Sequence, residues 1–195
     1  MRKIAKTKRE LIPKYQKLYY DTLILRNVKK ILALLNFNNI FIYLSMPSEV
    51  DTSKIIDFLI SKGKNIYVPK IVEKQEMIAV EYKKGDLMKK NKFGIEEPEK
   101  SCYIDPQCID ICIIPIVAFD RELNRLGFGK GFYDRFLCKV RNDCIKIGIA
   151  YQCQMVDMIK PEDHDVELDI IVTERFIYGD LYKNCRGEAN EENFT

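Results

Sequence analysis

The 195-residue sequence lacks the signatures of several common kinds of protein. It holds one histidine, His164, and no Cys-x-x-Cys pair among its seven cysteines, so a zinc site built from Cys and His is not expected. Its longest apolar run, Ile111 to Phe119, is nine residues and contains Pro115. A membrane-spanning helix needs about 20. The basic start MRKIAKTKRE has no apolar stretch of the secretory kind, and it runs through Glu10 straight into a helical pattern, unlike a transit peptide. A large excess of one charge is also missing. Thirty-two Lys+Arg against 29 Asp+Glu leave a net +3, which excludes a polycation built to coat nucleic acid. No internal repeat is evident. The expectation is a cytoplasmic protein with reduced thiols that engages neither membrane nor nucleic acid.

What is present is an ordinary globular mixture, 47% apolar and 31% charged, able to bury a real core. At about 150 residues per domain, the length argues for one domain, placed at residues 1–181. Residues 182–195 have no apolar face and read as a disordered tail. From Arg2 to Leu35 apolar residues recur at helical spacing, with a break near Pro13. Ile40 to Leu44 reads as a buried strand. Asp51, Thr52 and Ser53 are cap candidates for a helix carrying Ile55, Ile56 and Leu59 and closed by Gly63. Ile66 to Val68 is a second strand, ended by Pro69, which completes a strand–helix–strand unit. Met77 to Tyr82 alternates as a strand does. Lys83 to Lys92 is a charged surface stretch, and Phe93 to Pro98 ends in a loop. Ile109 to Val117 is apolar at both parities, as for a strand covered on both faces. A helix over Lys130 to Val140 and strands at Ile145 to Ala150 and Leu168 to Thr173 follow. The expected fold is a single-domain α/β structure. It has a mostly parallel sheet flanked by helices on both faces, an open Rossmann-like three-layer arrangement, and a helical N-terminus.

The most informative segment lies between the strand at 109–117 and the next helix: Arg125-Leu126-Gly127-Phe128-Gly129-Lys130-Gly131-Phe132-Tyr133-Asp134. Alternating glycines permit positive φ and let backbone N–H groups approach an anion. The following helix directs the positive end of its dipole to the same place. Arg125 and Lys130 add cations, and Asp134 is placed to hold Mg²⁺ against phosphate oxygens. A glycine-rich turn with ordinary surface charges is the competing reading, since Gly-x-Gly-x-Gly alone is weakly specific. The spacing is not a Walker A loop, because Gly131 follows Lys130. It also lacks the third glycine position of a dinucleotide fingerprint. Phosphate binding follows from these residues; a particular reaction does not.

Residues 125–137, RLGFGKGFYDRFL, resemble the signature of the 5-formyltetrahydrofolate cyclo-ligase family, approximately RLG-x-G-x-G-x-YD-x-x-L. The preceding Ile113-Ile114-Pro115 and Ala118-Phe119-Asp120 are similar to what comes before it in that family. Other segments resemble family landmarks in the same order. They are Leu44 to Thr52 with its Glu-Val-Asp-Thr, Phe93 to Pro98, His164 to Asp169, and Val172-Thr173-Glu174. The resemblance runs from about residue 6 to 175.

The resemblance implies an ATP- and Mg²⁺-dependent ligase that converts 5-formyltetrahydrofolate, with or without a polyglutamate tail, into 5,10-methenyltetrahydrofolate, ADP and phosphate. It implies an ATP site of Arg125, Gly127, Phe128, Gly129, Lys130, Gly131, Phe132 and Tyr133, with basic help from Lys8 and Arg9. Phe128, Gly129, Lys130, Gly131 and Phe132 would also face the folate, together with Leu44 and Glu49. Lys130 and Arg125 are the candidate catalytic cations, and Asp134 and Asp169 the candidate Mg²⁺ ligands. Each has an ordinary alternative. Glu49 can be a solvated loop carboxylate, Leu44 a core residue, Tyr133 a helix anchor, Asp134 a first-turn carboxylate, Asp169 a turn former and His164 an ordering partner for Asp163 and Asp165. Lys8-Arg9-Glu10-Leu11 fits the family's basic N-terminal pattern, but Ile12 stands where an arginine is expected, leaving Arg9 or Lys6 to supply the charge. Ile116 replaces a common glycine after the strand proline and is expected to narrow the loop. A monomer is expected. Two alternatives stay open: an ATP-dependent ligase or kinase acting on another small acid, and a protein that only binds nucleotide or RNA. The second is the weaker, because aromatics are not interleaved with the N-terminal basic residues.

Overall fold

The computed structural model describes residues 1–72, 76–91, 94–99, 102–162 and 165–180. The expectations for His164, Asp163, Phe93 and the 182–195 tail fall outside these residues. Pro13 breaks the N-terminal helical pattern as its sequence requires. It is extended, at φ −60° and ψ 144°, and separates α1 (Arg2–Glu10) from α2 (Lys14–Leu32). Lys29 and Lys30 in the last turn of α2 complement its dipole. Its inward face carries Ile24, Val28, Ile31 and Leu32, together with the polar Asp21 and Asn27.

The chain then builds β1 (Asn39–Ile42), α3 (Ser53–Ser61), β2 (Asn65–Ile71) and β3 (Met77–Tyr82). Next come β4 (Met88–Lys90), β5 (Glu96–Pro98), β6 (Tyr103–Ile104), β7 (Ile111–Pro115), β8 (Ala118–Phe119) and β9 (Arg125–Leu126). The last elements are α4 (Phe132–Leu137), β10 (Ile145–Ile149), β11 (Ile170–Val172) and β12 (Ile177–Gly179). Eight strands form one sheet in the order β12-β11-β10-β7-β1-β2-β3-β6. The five from β11 to β2 are mutually parallel, and β12, β3 and β6 add antiparallel edges. The parity of β7 shows how both faces are covered. Ile111 and Ile113 pack with α2 and α3, whereas Cys112 and Ile114 pack with Phe136 and Leu137 of α4.

Several sequence expectations shift in detail. Pro69 does not end the second strand but sits within β2, opposite Ala79. β1 accompanies β2 only as far as Tyr67, so that side of the strand has no ladder left for a proline to interrupt. β4 and β5 pair as a small antiparallel ladder, where only surface and loop were expected. It is fixed by buried Glu97, whose Oε1 accepts from the Ile71 N–H at 2.8 Å and the Asn91 amide at 2.7 Å. Thr52 precedes α3, but its hydroxyl donates to the Tyr43 carbonyl at 2.8 Å, while Asp51 accepts from the Ser53 N–H. The fourth helix begins at Phe132, not Lys130, so Lys130 belongs to the loop. Ile116 is 2% exposed and lies in the core beside Gly148, where an added Cβ would meet its Cδ1 at 2.3 Å.

Candidate functional site

β1 and β7 are neighbours, yet their connections depart in opposite directions. β1 leads through α3 to β2, and β7 leads through α4 to β10. The helices lie on opposite faces, so the carboxyl ends of β1 and β7 form a topological switch point, where an open α/β sheet usually has its ligand crevice. The sequence places its two most unusual segments there. Residues 43–52 leave β1, and the β8–β9 hairpin carries residues 127–131 from β7 to α4.

The glycine loop uses its glycines for conformation. Gly129 has φ +83° and Gly131 φ +64°, a region that costs other residues about 1–2 kcal/mol. At Gly131 an added Cβ would also fall 2.7 Å from Arg135 Nη1. Lys130 is exposed at the tip. Arg125, 7% exposed, donates from Nη2 to Asp134 Oδ1 at 2.5 Å. Gly129, Lys130, Gly131, Asp134, Arg135 and Cys138 line a cavity of ≈ 320 Å³. Because α4 is only six residues long, side-chain cations and loop N–H groups supply most of the positive field here.

Across the crevice, Glu49 is 3% exposed. Its Oε2 accepts from the Met46 N–H at 2.9 Å, while Oε1 is buried without a hydrogen-bond partner. Burial raises the proton affinity of this carboxyl, opposed by the Met46 N–H and by Arg9, Lys17 and Lys6. The loop is braced from behind. The Tyr151 hydroxyl donates to Asp21 Oδ1 at 2.6 Å and lies 3.2 Å from the Glu49 carbonyl oxygen. The Asp51 N–H donates to the same Asp21 oxygen at 3.2 Å, and Lys17 pairs with Oδ2 at 2.8 Å. The sheet has one apolar core on its α2–α3 face and another on its α4 face, and Leu44 is half-buried against the former. Tyr133 packs against both cores, edge-on to Phe41 at 6.4 Å, and burial followed by the nearby Glu49 carboxylate pushes its phenol well up. Its anchoring role is therefore visible in the packing.

Helix α1 bridges the two loops. Arg2 Nε donates to the Gly127 carbonyl at 3.1 Å, and Lys6 Nζ stands 5.5 Å from the Phe128 ring centroid. Arg9 Nη2 donates to Ser48 Oγ at 2.9 Å. Positions 2, 6 and 9 share one helix face.

These features have counterparts in known proteins. Residues 1–174 match the 5-formyltetrahydrofolate cyclo-ligase family.

The chain belongs to the 5-formyltetrahydrofolate cyclo-ligase family.

A 5-formyltetrahydrofolate cyclo-ligase of Haemophilus influenzae is 40% identical over 140 residues, covering 69% of this chain and 75% of that protein. The 5,10-methenyltetrahydrofolate synthetase of Aquifex aeolicus superposes with a TM-score of 0.82 at 28% identity, covering 98% of this chain and 94% of the other. The synthetase of Mycoplasma pneumoniae gives 0.72 at 29% identity, covering 89% and 96%.

Two residues expected at the site of a cyclo-ligase are placed elsewhere. Lys8 is exposed on a different flank of α1. With Leu11, Ile12, Gln152, Cys153 and Glu174 it lines a separate cavity of ≈ 350 Å³. Six residues at about 100° each carry Lys8 well off the Arg2 face. Ile12 shares that cavity, so an arginine there would not point along the Arg2 face either. Asp169 precedes β11 and accepts from the Lys146 N–H at 2.7 Å, with Lys146 Nζ at 3.2 Å. Lys146 stands near the amino end of β10, whereas Asp134 begins α4 beyond the carboxyl end of β7, so the structure does not bring the two carboxylates together. Arg9 reaches the Glu49 loop rather than the glycine loop. The sequence reading missed Arg2, whose signal was its spacing from Lys6 and Arg9. It also missed Asp21 and Tyr151, which no local pattern marks.

Proposed function

We propose that the chain closes 5-formyltetrahydrofolate to 5,10-methenyltetrahydrofolate, with ATP converted to ADP and phosphate. The observation that carries this reading is the meeting of the glycine loop and the Glu49 loop at one crevice, bridged by α1, in a chain of this family. In this mechanism the formyl oxygen attacks the γ-phosphorus and ADP leaves. N10 then adds to the activated carbon and gives up its proton to solvent, and phosphate departs with that oxygen as the amidinium N5–C–N10 system forms. An amide oxygen is a weak nucleophile and, unactivated, a poor leaving group, so alignment and charge stabilisation do most of the work. Gly127 to Gly131 cradle the phosphates, and Lys130 stabilises the transferring phosphoryl group. Arg2 extends the cationic lining, and Arg125 acts through Asp134 as a positioning residue. Glu49 accepts from pterin N–H groups, and Leu44 and Phe128 contact the pterin ring.

Asp134 fits Mg²⁺ as a single protein carboxylate, since this ion keeps waters and is commonly held through one or two carboxylates plus substrate phosphates. When bound, Mg²⁺ would neutralise phosphate charge. Residues 1–181 act as one domain, a cytoplasmic monomer in this reading, and the basic residues of α1 would attract the carboxylates of a polyglutamate tail. No described helix is long and apolar enough to cross a membrane. Incubation with Mg-ATP and 5-formyltetrahydrofolate should yield the ultraviolet absorbance of the methenyl product and stoichiometric ADP. Absence of both overturns the proposal. ADP formed only with a different small acid would identify another ATP-dependent ligase or kinase.

A further inference from the structure

In the seam between α1 and the loop after β1, two buried side chains hold hydrogen-bonding capacity that the described residues leave unused. Arg9 and Glu49 are each 3% exposed, and Arg9 Nη1 stands 4.0 Å from Glu49 Oε1. Ser48 Oγ holds Nη2 at 2.9 Å, and the Met46 N–H holds Oε2 at 2.9 Å. Arg9 Nε and Glu49 Oε1 have no hydrogen-bond partner. Buried polar groups are normally paired, and this donor and acceptor contribute nothing to either apolar core. They are matched instead to a ligand edge that carries an acceptor beside donors.

We infer that Arg9 is a specificity residue for the pterin, donating to its C4 carbonyl oxygen while Glu49 accepts from the adjacent N3–H and 2-amino groups. The inference rests on the folate reading above and assigns Arg9 to the pterin rather than to ATP. The pyrimidinone edge presents one acceptor followed by two donors, the complement of a guanidinium beside a carboxylate. A 4-amino-4-deoxy pterin replaces that acceptor with a donor, which would face a cation and leave it unpaired. The guanidinium is carried by α1, whose buried residues are only Ala5 and Arg9.

The test is calorimetric binding of tetrahydrofolate and its 4-amino-4-deoxy counterpart to the full chain, alongside turnover of 5-formyltetrahydrofolate. Wild type should prefer the 4-oxo ligand by about tenfold or more, because a site built to donate rejects a ligand lacking the acceptor. Arg9→Met should bring the ratio of the two affinities close to one. A purely structural role would weaken both ligands equally and leave the ratio unchanged, and that result overturns the inference, as does a wild type without preference. If Arg9→Met does not fold, Ser48→Ala removes the anchor of the guanidinium. It should lower the ratio about threefold, roughly the loss of one modest hydrogen bond; an unchanged ratio again overturns the assignment. A wild type that turns over substrate while failing the ratio test sinks this inference alone. A wild type that neither binds these pterins nor makes product sinks the folate reading with it.

Discussion

At the scale of single residues, position relative to the crevice separates chemistry from stability. Lys130 is exposed and makes no ion pair among the described residues. Lys130→Ala should therefore leave stability within about 0.5 kcal/mol of wild type in denaturant melts. It should lower kcat by about 100-fold, as removal of one preorganised donor commonly does. Full kcat at saturating ATP would remove Lys130 from the transition state. Glu49 makes a pH prediction. In the proposed function it must be ionised to accept pterin N–H groups, and burial raises its proton affinity despite the Met46 N–H, Arg9, Lys17 and Lys6. The free protein therefore loses the carboxylate as pH falls through a value above the ordinary Glu range. The acid limb of kcat/KM for the folate should lie correspondingly high. The Tyr43 and Tyr133 phenols that also face this carboxyl are pushed up by burial and stay neutral there. Arg9→Met removes a cation that opposes protonation, so the acid limb should move to still higher pH. A profile unchanged in that variant would mean that Glu49 does not set the limb.

At the scale of elements, the two short helices beside the crevice have opposite energetics. α1 buries only Ala5 and Arg9, so removal of residues 2–10 should lower Tm by no more than about 5 °C. The same deletion strips Arg2 from Gly127 and Arg9 from Ser48, and kcat/KM should fall by about 100-fold through lost alignment. A truncated chain that keeps wild-type kcat/KM would show that α1 is not part of the site. α4 depends instead on packing. Phe136 is 1% exposed and stacks on Phe41 with ring centroids 4.4 Å apart. Phe136→Ala should cost about 3–5 kcal/mol in urea unfolding, a large share of the stability of an ordinary domain. Activity should fall with it, because the helix that holds Asp134 loses its base. Sequence periodicity found both helices, but not this contrast. An apolar stripe reports that a face is buried, and the few polar contacts of α1 have no periodic signature.

At the scale of the whole molecule, the direction of the sheet places the two candidate carboxylates at opposite ends of their strands. Asp134 follows the carboxyl end of β7, and Asp169 precedes β11 beside Lys146. Parallel strands rise about 3.3 Å per residue, so five-residue strands such as β7 and β10 separate their two ends well beyond a shared coordination sphere. Asp134→Asn should raise the Mg²⁺ concentration needed for half-maximal turnover. Asp169→Asn should leave that concentration unchanged and lower stability, since it removes the charge paired with Lys146 Nζ. A higher Mg²⁺ requirement in Asp169→Asn would restore that residue to the metal site.

The sequence by itself determined the order and type of the main elements, the two-sided burial of β7 and the glycine loop. These depend on short-range rules: the period of apolar residues, the fixed φ of Pro13 and the left-handed conformations of Gly129 and Gly131. The family resemblance also named Glu49 and Lys130 as candidate site residues. Only the tertiary structure decided which cations face the crevice, because helix rotation puts Arg2 and Arg9 on it and carries Lys8 away. Only the tertiary structure braced Glu49 through Asp21 and Tyr151, two residues 130 positions apart in the chain. Contacts at that separation depend on how the sheet sets β1, β7 and β10 side by side, and no local pattern of residues encodes them.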